Sequence, residues 1–258
     1  YDALSSFALE PVYISLLDLP IPKDKSVKRQ ISSLKDNFTL EKGYCDYSVK
    51  EEKLRIMREI FLMQKEEPQS FKDFKERNAY WLSDFALFKA IKAFHGGKAW
   101  FDWPEDYKGR DLKALDNFRN EYPAEIGFEE WVQWQLYEQF KAAKKYAADK
   151  GVMLKGDLPI LVSRDSSDVW AHHEFFKLEF AAGAPPDMYC ALGQRWGMPT
   201  YDWGRIEADG FKYLKEKLKY AQNFYDILRV DHVVGLFRIW SIPFAEPLEN
   251  KGLNGFFD

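Results

Sequence analysis

Cysteine is scarce. Cys45 and Cys190 are the only two in 258 residues and lie far apart. They build neither a disulfide framework nor a Cys/His metal motif, so a reduced, cytoplasmic setting is the simplest expectation. Long apolar runs are missing too. None approaches the ~18 residues of a membrane span, so no membrane partner is expected. Neither sign of charge dominates: 37 basic and 41 acidic residues leave a net −4. Without a basic excess there is no phosphate-tracking surface, and nucleic acid is not an expected partner. The start, Tyr1-Asp2-Ala3, lacks Met and any basic-then-apolar signal pattern. It is expected to lie inside a longer protein. There is no Gly-rich phosphate loop and no G-x-S-x-G elbow. No metal motif stands out, and no cofactor is implied.

What is present is aromatic surface. Aromatic residues make up 17% of the chain, with nine Trp. Such faces serve cores first and ligand platforms second. At 46% hydrophobic and 30% charged, the composition excludes a disordered chain. The length fits one or two domains, and α/β barrels reach it as one.

The pattern along the chain changes near residue 126. Before it, Pro11 to Leu16 reads as a short strand, and Lys23 to Arg29 as a solvated helix face. Leu54, Met57, Ile60 and Phe61 mark a helix over 48–66. Asn78 is expected to cap the next helix, with Trp81, Phe85, Phe88 and Ile91 on its buried face and Gly96-Gly97 ending it. Trp100 to Arg110 reads as a loop around Pro104. After 126, a helix is expected over 128–148 and a strand over 152–157. A long loop then carries 183–187 and 193–197, followed by a helix over 211–224 and a strand over 225–231. Helix, strand, helix, strand predicts parallel α/β units, whose chemistry gathers at the C-terminal strand ends.

On the second strand, period-two alternation puts Ile227, Arg229 and Asp231 on one face. A guanidinium beside Asp231 favours its anionic form, and an ionised carboxylate in a cleft suits attack on an anomeric carbon. A plain structural ion pair explains the tripeptide more simply. Asp157 ends the earlier strand after Gly156. It reads equally as an acceptor for substrate hydroxyls and as a loop-capping Asp. Trp196, in the glycine-bounded run Gly193-Gln194-Arg195-Trp196-Gly197, reads as a sugar-stacking platform beside a hydroxyl-binding Gln194, or as core. Trp81, Phe85, Phe88, Trp131 and Phe140, at helical spacing, read as core. Adjacent His172-His173 has no carboxylate pattern to make it a metal site.

Several ordered segments resemble the 4-α-glucanotransferases of glycoside hydrolase family 77, the amylomaltases and disproportionating enzymes. Tyr1 to Leu9 resembles the end of an S-P-Y-x-x-x-S-x-F-A loop. Trp81 to Phe88 is similar to W-L-x-D-Y-A-L-F, and Gly96 to Pro104 to G-G-x-x-W-x-x-W-P. Lys155 to Ile160 resembles G-D-[LM]-P-I. Gly183-Ala184-Pro185-Pro186-Asp187 and Gly193-Gln194-Arg195-Trp196-Gly197 match almost letter for letter. Arg229-Val230-Asp231-His232 with Gly235-Leu236-Phe237-Arg238 resembles the nucleophile strand. The 20–80 region looks most like the larger, maltose-processing members, which carry starch-binding modules ahead of the catalytic domain.

The resemblance implies part of a (β/α)8 barrel. Residues 1–125 would be a mostly helical insertion region of the catalytic domain, and 126–258 the barrel segment with the nucleophile strand. It implies retaining transfer of α-1,4-linked units between malto-oligosaccharides or glycans. Asp231 would be the nucleophile and Arg229 its holder, with Tyr1, Asp157, Gln194, Trp196 and His232 contacting sugars. The family's acid/base Glu sits in an E-D-L-G-like segment that residues 1–258 do not contain, and Glu246 and Glu249 do not fit it. A third carboxylate, in an H-x-D-like context, is also absent. This segment by itself is therefore expected to be inactive. A related α-glucan hydrolase and a non-catalytic glucan-binding protein stand as the other readings.

Overall fold

A computed structural model describes residues 3–20, 25–38 and 46–258. The chain divides into two compact units. One comprises residues 8–90 and 117–146; the other comprises the residues up to Phe7, 91–116 and 147–258. Among the described residues, every regular element that begins before residue 126 is helical. These helices are α1 (Lys25–Asn37), α2 (Val49–Leu62), α3 (Gln69–Phe94), α4 (Glu105–Lys108), α5 (Leu112–Glu121) and α6 (Pro123–Asp149). No helix among the described residues is long and apolar enough to cross a membrane.

In the first unit the aromatic residues form a core around α6. Seven consecutive residues of that helix, Trp131 to Tyr137, are buried. A helix buried on all sides has no polar face, which is why its apolar periodicity is blurred in the sequence. Phe61 of α2 lies 5.8 Å from Trp131, and Phe71 of α3 stacks on Trp134 at 5.1 Å. Trp81, Phe85, Phe88 and Trp131 are core as expected, while Phe140 is only half-buried.

Two glutamines of α6 pair with an irregular segment as a neighbouring strand would. Gln133 Oε1 accepts from Leu9 N at 2.8 Å and its Nε2 donates to Leu9 O at 3.0 Å. Gln139 treats Ser15 in the same way, at 2.8 and 2.9 Å. Each side chain thus satisfies one donor and one acceptor of a backbone that has no strand partner. Gln133→Leu is expected to destabilise the protein by about 1–3 kcal/mol, because it strands both Leu9 groups. Urea unfolding monitored by tryptophan fluorescence checks this, and an unchanged midpoint would contradict it.

Three expectations about local structure are corrected. Pro11 to Leu16 is not a strand. Pro11–Tyr13 forms a 3-10 turn, with the Glu10 carboxylate accepting from Val12 N. Pro11 at the first turn position fixes φ and has no N–H to pair, which suits a turn start better than a ladder. Asn78 does not begin a helix. α3 already runs from Gln69, because Phe71 and Phe74 extend the apolar stripe toward the N-terminus. Asn78 is buried inside it, donating from Nδ2 to Phe74 O at 2.8 Å and accepting from Trp81 Nε1 at 3.3 Å. Trp100 to Arg110 is not a plain loop: a 3-10 turn at Trp100–Asp102 precedes α4, and Arg110 at φ +57° closes it.

The second unit carries the strands. In order they are β1 (Lys155–Leu158), β2 (Phe176–Lys177), β3 (Phe180–Ala184), β4 (Gln194–Arg195), β5 (Thr200–Tyr201), β6 (Ile227–Val230), β7 (Trp240–Pro243) and β8 (Phe256–Phe257). Helix α7 (Ser167–Ala171) follows β1, and α8 (Trp203–Ala208) and α9 (Lys212–Ala221) precede β6. β1 and β6 pair in parallel, as the alternation of helix and strand predicts. β4, β3, β7 and β8 form an antiparallel sheet in that order, and β2 pairs with β5. The long loop expected around 183–197 is therefore partly sheet. Phe180-Ala181-Ala182-Gly183-Ala184 hides this because its middle three residues are all buried, so no polar–apolar alternation is written into it.

Candidate functional site

The β1–β6 register builds the charged end of the site. Asp157 sits opposite Arg229, and Leu158 opposite Val230. The ladder continues one residue further through Asp231 N, which donates to Leu158 O at 3.1 Å. With Arg229 and Asp231 two residues apart, the guanidinium lies between two carboxylates. Its Nη1 donates to Asp157 Oδ2 at 2.9 Å, and its Nη2 to Asp231 Oδ1 at 2.6 Å. Among the described residues, the second oxygens of Asp157 and Asp231 have no hydrogen-bond partner.

This pair is not a desolvated one. Arg229 is 54% exposed and Asp231 35% exposed. Solvent therefore screens the Coulomb attraction, and the fork contributes orientation more than stability.

Next in the chain, His232 takes a left-handed conformation, φ +50°. It leads into a 3-10 turn, Val233–Leu236. Gly235 in that turn lies hard against Ile160, and a Cβ there would also come to 2.9 Å from His232 Cδ2. From the neighbouring sheet, Trp196 N donates to Ala182 O at 2.8 Å and its Nε1 to Gln194 Oε1 at 3.0 Å. The two signature glycines keep these strands together. Gly193 is at φ +66°, and a Cβ on it would be 2.5 Å from Ala184 O; a Cβ on Gly183 would overlap Gln194 O. The Trp196 ring meets the His232 ring edge-on, centroids 4.9 Å apart.

Asp231, His232, Gln194 and Trp196 all line one cavity of about 510 Å³. Pro159, Ile160, Leu161 and Met198 complete its wall. Arg229 and Asp157 do not line it but are tied to Asp231 by the fork. Tyr1 lies outside the described residues. The cavity combines one carboxylate, one amide, one imidazole, an indole face and aliphatic walls. That set suits a ligand carrying both hydroxyl groups and C–H faces. Sequence reasoning missed the wall residues Ile160, Leu161 and Met198. Each directly follows or belongs to a signature segment, and that adjacency was the available signal.

Among the described residues no three His, Cys, Asp or Glu side chains cluster as a metal site. His172 faces Glu174 at 3.8 Å and stacks on Phe175 at 5.5 Å.

The family model described as 4-alpha-glucanotransferase, of glycoside hydrolase family 77, matches residues 1–255. The chain is 37% identical over 246 residues to a 4-alpha-glucanotransferase from Chlamydia caviae, covering 93% of this chain and 46% of that protein. It is 35% identical over 264 residues to one from Thermus thermophilus, covering 98% and 51%. In structure it resembles an amylomaltase from Streptococcus agalactiae solved in complex with acarbose. The TM-score is 0.84 at 28% identity, over 100% of this chain and 53% of that one. The chain thus spans about half the length of the curated relatives it matches.

Proposed function

The chain belongs to the 4-alpha-glucanotransferase family, glycoside hydrolase family 77, and from that premise we propose that the intact protein transfers α-1,4-linked glucosyl or glucan units between malto-oligosaccharides or glycans, through an ester on Asp231. The observation that carries the reading is Asp231 itself. It lines the cavity, one of its oxygens is held by Arg229 at 2.6 Å, and the other has no partner among the described residues. The likeness to an amylomaltase whose complex contains acarbose supports a sugar as the cavity's occupant.

In the first step Asp231 Oδ2 attacks the anomeric carbon of the donor. The bond from that carbon to the leaving sugar's oxygen breaks, and a carboxylic acid supplies that oxygen with its proton. In the second step an acceptor hydroxyl attacks the same carbon, returns its proton to that acid, and releases Asp231. Two inversions give net retention. Arg229 fixes which oxygen is free. Gln194 and His232 take sugar hydroxyls, as do Asp157 through its second oxygen and Tyr1. Trp196 presents its indole face to the C–H face of a ring. It also borders, with Gln194, a second cavity of about 420 Å³, so an oligosaccharide has space on more than one side of it.

The proposed architecture is a (β/α)8 barrel that includes β1 and β6. Residues 1–125 form a mostly helical insertion region, and 126–258 the barrel segment that carries Asp231. Parallel pairing of β1 with β6, and a site at their C-terminal ends, support this reading. The scarcity of cysteine supports a cytoplasmic location.

The deciding experiment incubates the intact protein with maltotriose, measures glucose release and sizes the products. A transferase yields longer oligosaccharides along with glucose, a hydrolase yields only shorter ones, and a binding protein yields neither. Trp196→Ala is expected to raise KM by about tenfold with a smaller change in kcat, since a stacking face acts on bound sugar in both ground and transition states. A wild-type KM in that variant would remove Trp196 from the sugar site.

A further inference from the structure

The wall of the cavity is held from behind by a buried lysine. The buried face of α9 carries Tyr213, Lys217, Tyr220 and Ala221. Lys217 is only 3% exposed. Its Nζ donates to Pro159 O at 2.6 Å and to Ile160 O at 3.3 Å. These two carbonyls belong to the segment that leaves β1 and whose side chains line the cavity with Asp231. Among the described residues no carboxylate lies within ion-pair distance of Lys217. Asp168 of α7 attracts it from further off, and its oxygens already accept from Ser6 N at 3.0 Å and Tyr213 OH at 3.1 Å. Tyr201 of β5 donates its OH to Ile160 O, the same carbonyl that Lys217 reaches.

We propose that Lys217 is a positioning residue for the sugar cavity, clamping the Pro159 and Ile160 carbonyls and so setting where that wall stands relative to Asp231. This rests on the reading that the cavity holds the donor sugar. The clamp is not explained as a simple stabiliser, because an ammonium without a paired carboxylate costs free energy to bury. Burial lowers Lys217 from the ordinary 10.5 to about 8, and the attraction of Asp168 only partly opposes that. Asp168 of α7 attracts it, Tyr201 of β5 shares the Ile160 carbonyl with it, and Tyr213, on its own helix, donates to Asp168. Burial pushes both tyrosines upward, so they stay neutral as Lys217 titrates.

Stability and positioning then move in opposite directions. The folded-state value lies below the unfolded one, so between about 8 and 10.5 the unfolded chain binds more protons and this residue's contribution to stability rises with pH. Over the same interval the clamp loses its charge and one donor. A role confined to scaffolding improves with pH there, whereas a positioning role deteriorates.

The test measures kcat and KM for maltotriose with the intact protein on either side of pH about 8, together with thermal unfolding, in wild type, Lys217→Met and Lys217→Arg. Wild-type KM is expected to rise several-fold as pH passes that value. Lys217→Met is expected to show a KM raised about tenfold already at neutral pH, with no further rise. Lys217→Arg, which stays charged, is expected to show a flat KM over that range. A wild-type KM in Lys217→Met, or the same pH profile in wild type and Lys217→Arg, overturns the proposal. Should Lys217→Met not fold, the Lys217→Arg profile decides alone. Wild type without activity on maltotriose would instead count against the glucan reading of the cavity.

Discussion

Asp231→Asn reduces glucan transfer by about 10⁴-fold or more while leaving oligosaccharide binding within a few-fold of wild type, on the nucleophile account. Asn keeps the shape of the side chain and an oxygen that still accepts from Arg229 Nη2. It loses the anionic oxygen that forms the ester. Nothing else in the cavity changes: Gln194, Trp196 and His232 keep their positions, so the sugar still seats. Because Asp231 is partly exposed at a strand end, the neutral replacement is expected to fold. Initial rates of glucose release from maltotriose, with calorimetric binding on the same preparations, read both halves. Binding lost together with turnover would mark Asp231 as a general recognition group. Wild-type turnover would leave Arg229 and Asp231 as the structural ion pair that the tripeptide by itself favours.

Arg229→Ala is expected to lower kcat by about 10²-fold, the second-largest effect, and to do so through Asp231. Without the guanidinium, Asp231 rotates freely about its side-chain torsions, and the free oxygen no longer has a fixed aim. Arg229→Lys is expected to rescue little. One ammonium cannot reproduce two donors directed at Asp157 Oδ2 and Asp231 Oδ1 at the same time. In the Asp231→Asn background the Arg229→Ala change should add almost nothing, since residues that act as one unit are strongly non-additive. A double variant whose loss equals the product of the two single losses would separate the roles. Asp157→Asn should be milder than either, because it removes charge from the outer arm of the fork and leaves the inner arm in place.

How much of this was legible in the sequence differs from element to element. The parallel strands were, since Val152 to Asp157 and Tyr225 to Asp231 are short runs that each follow a helical stretch. The observed strands, Lys155–Leu158 and Ile227–Val230, overlap those expectations, although β1 begins three residues later than expected. The face shared by Arg229 and Asp231 followed from alternation alone. Its connection to Asp157 did not, because that depends on a parallel register no local pattern encodes. The sheet of β4, β3, β7 and β8 escaped for the same reason. Its pairs join 180–184 to 240–243, and β3 is buried through its middle, so neither turn signals nor polar alternation announced it.

The helical part shows a different limit. Asn78 has the composition of a cap and is instead a buried residue bonded to the turn before it, because tertiary packing of Phe71 and Phe74 outweighs the local preference. Gln133 and Gln139 looked like ordinary polar residues of a helix. Only the fold reveals that they substitute for strand partners of Leu9 and Ser15. Lys217 is the clearest case. In Lys212 to Lys219 it is one basic residue among several on an amphipathic helix. What sets it apart is the pair of carbonyls it meets beneath the cavity wall.

The account stands most directly on a covalent bond. The measurement that tests it is mass spectrometry of the intact protein, acid-quenched during turnover of maltotriose and digested to peptides. The account predicts a glycosyl increment on the peptide containing Asp231, and none on that peptide in Asp231→Asn. An increment on a different carboxylate, or steady transfer with no covalent adduct at any quench time, would contradict it.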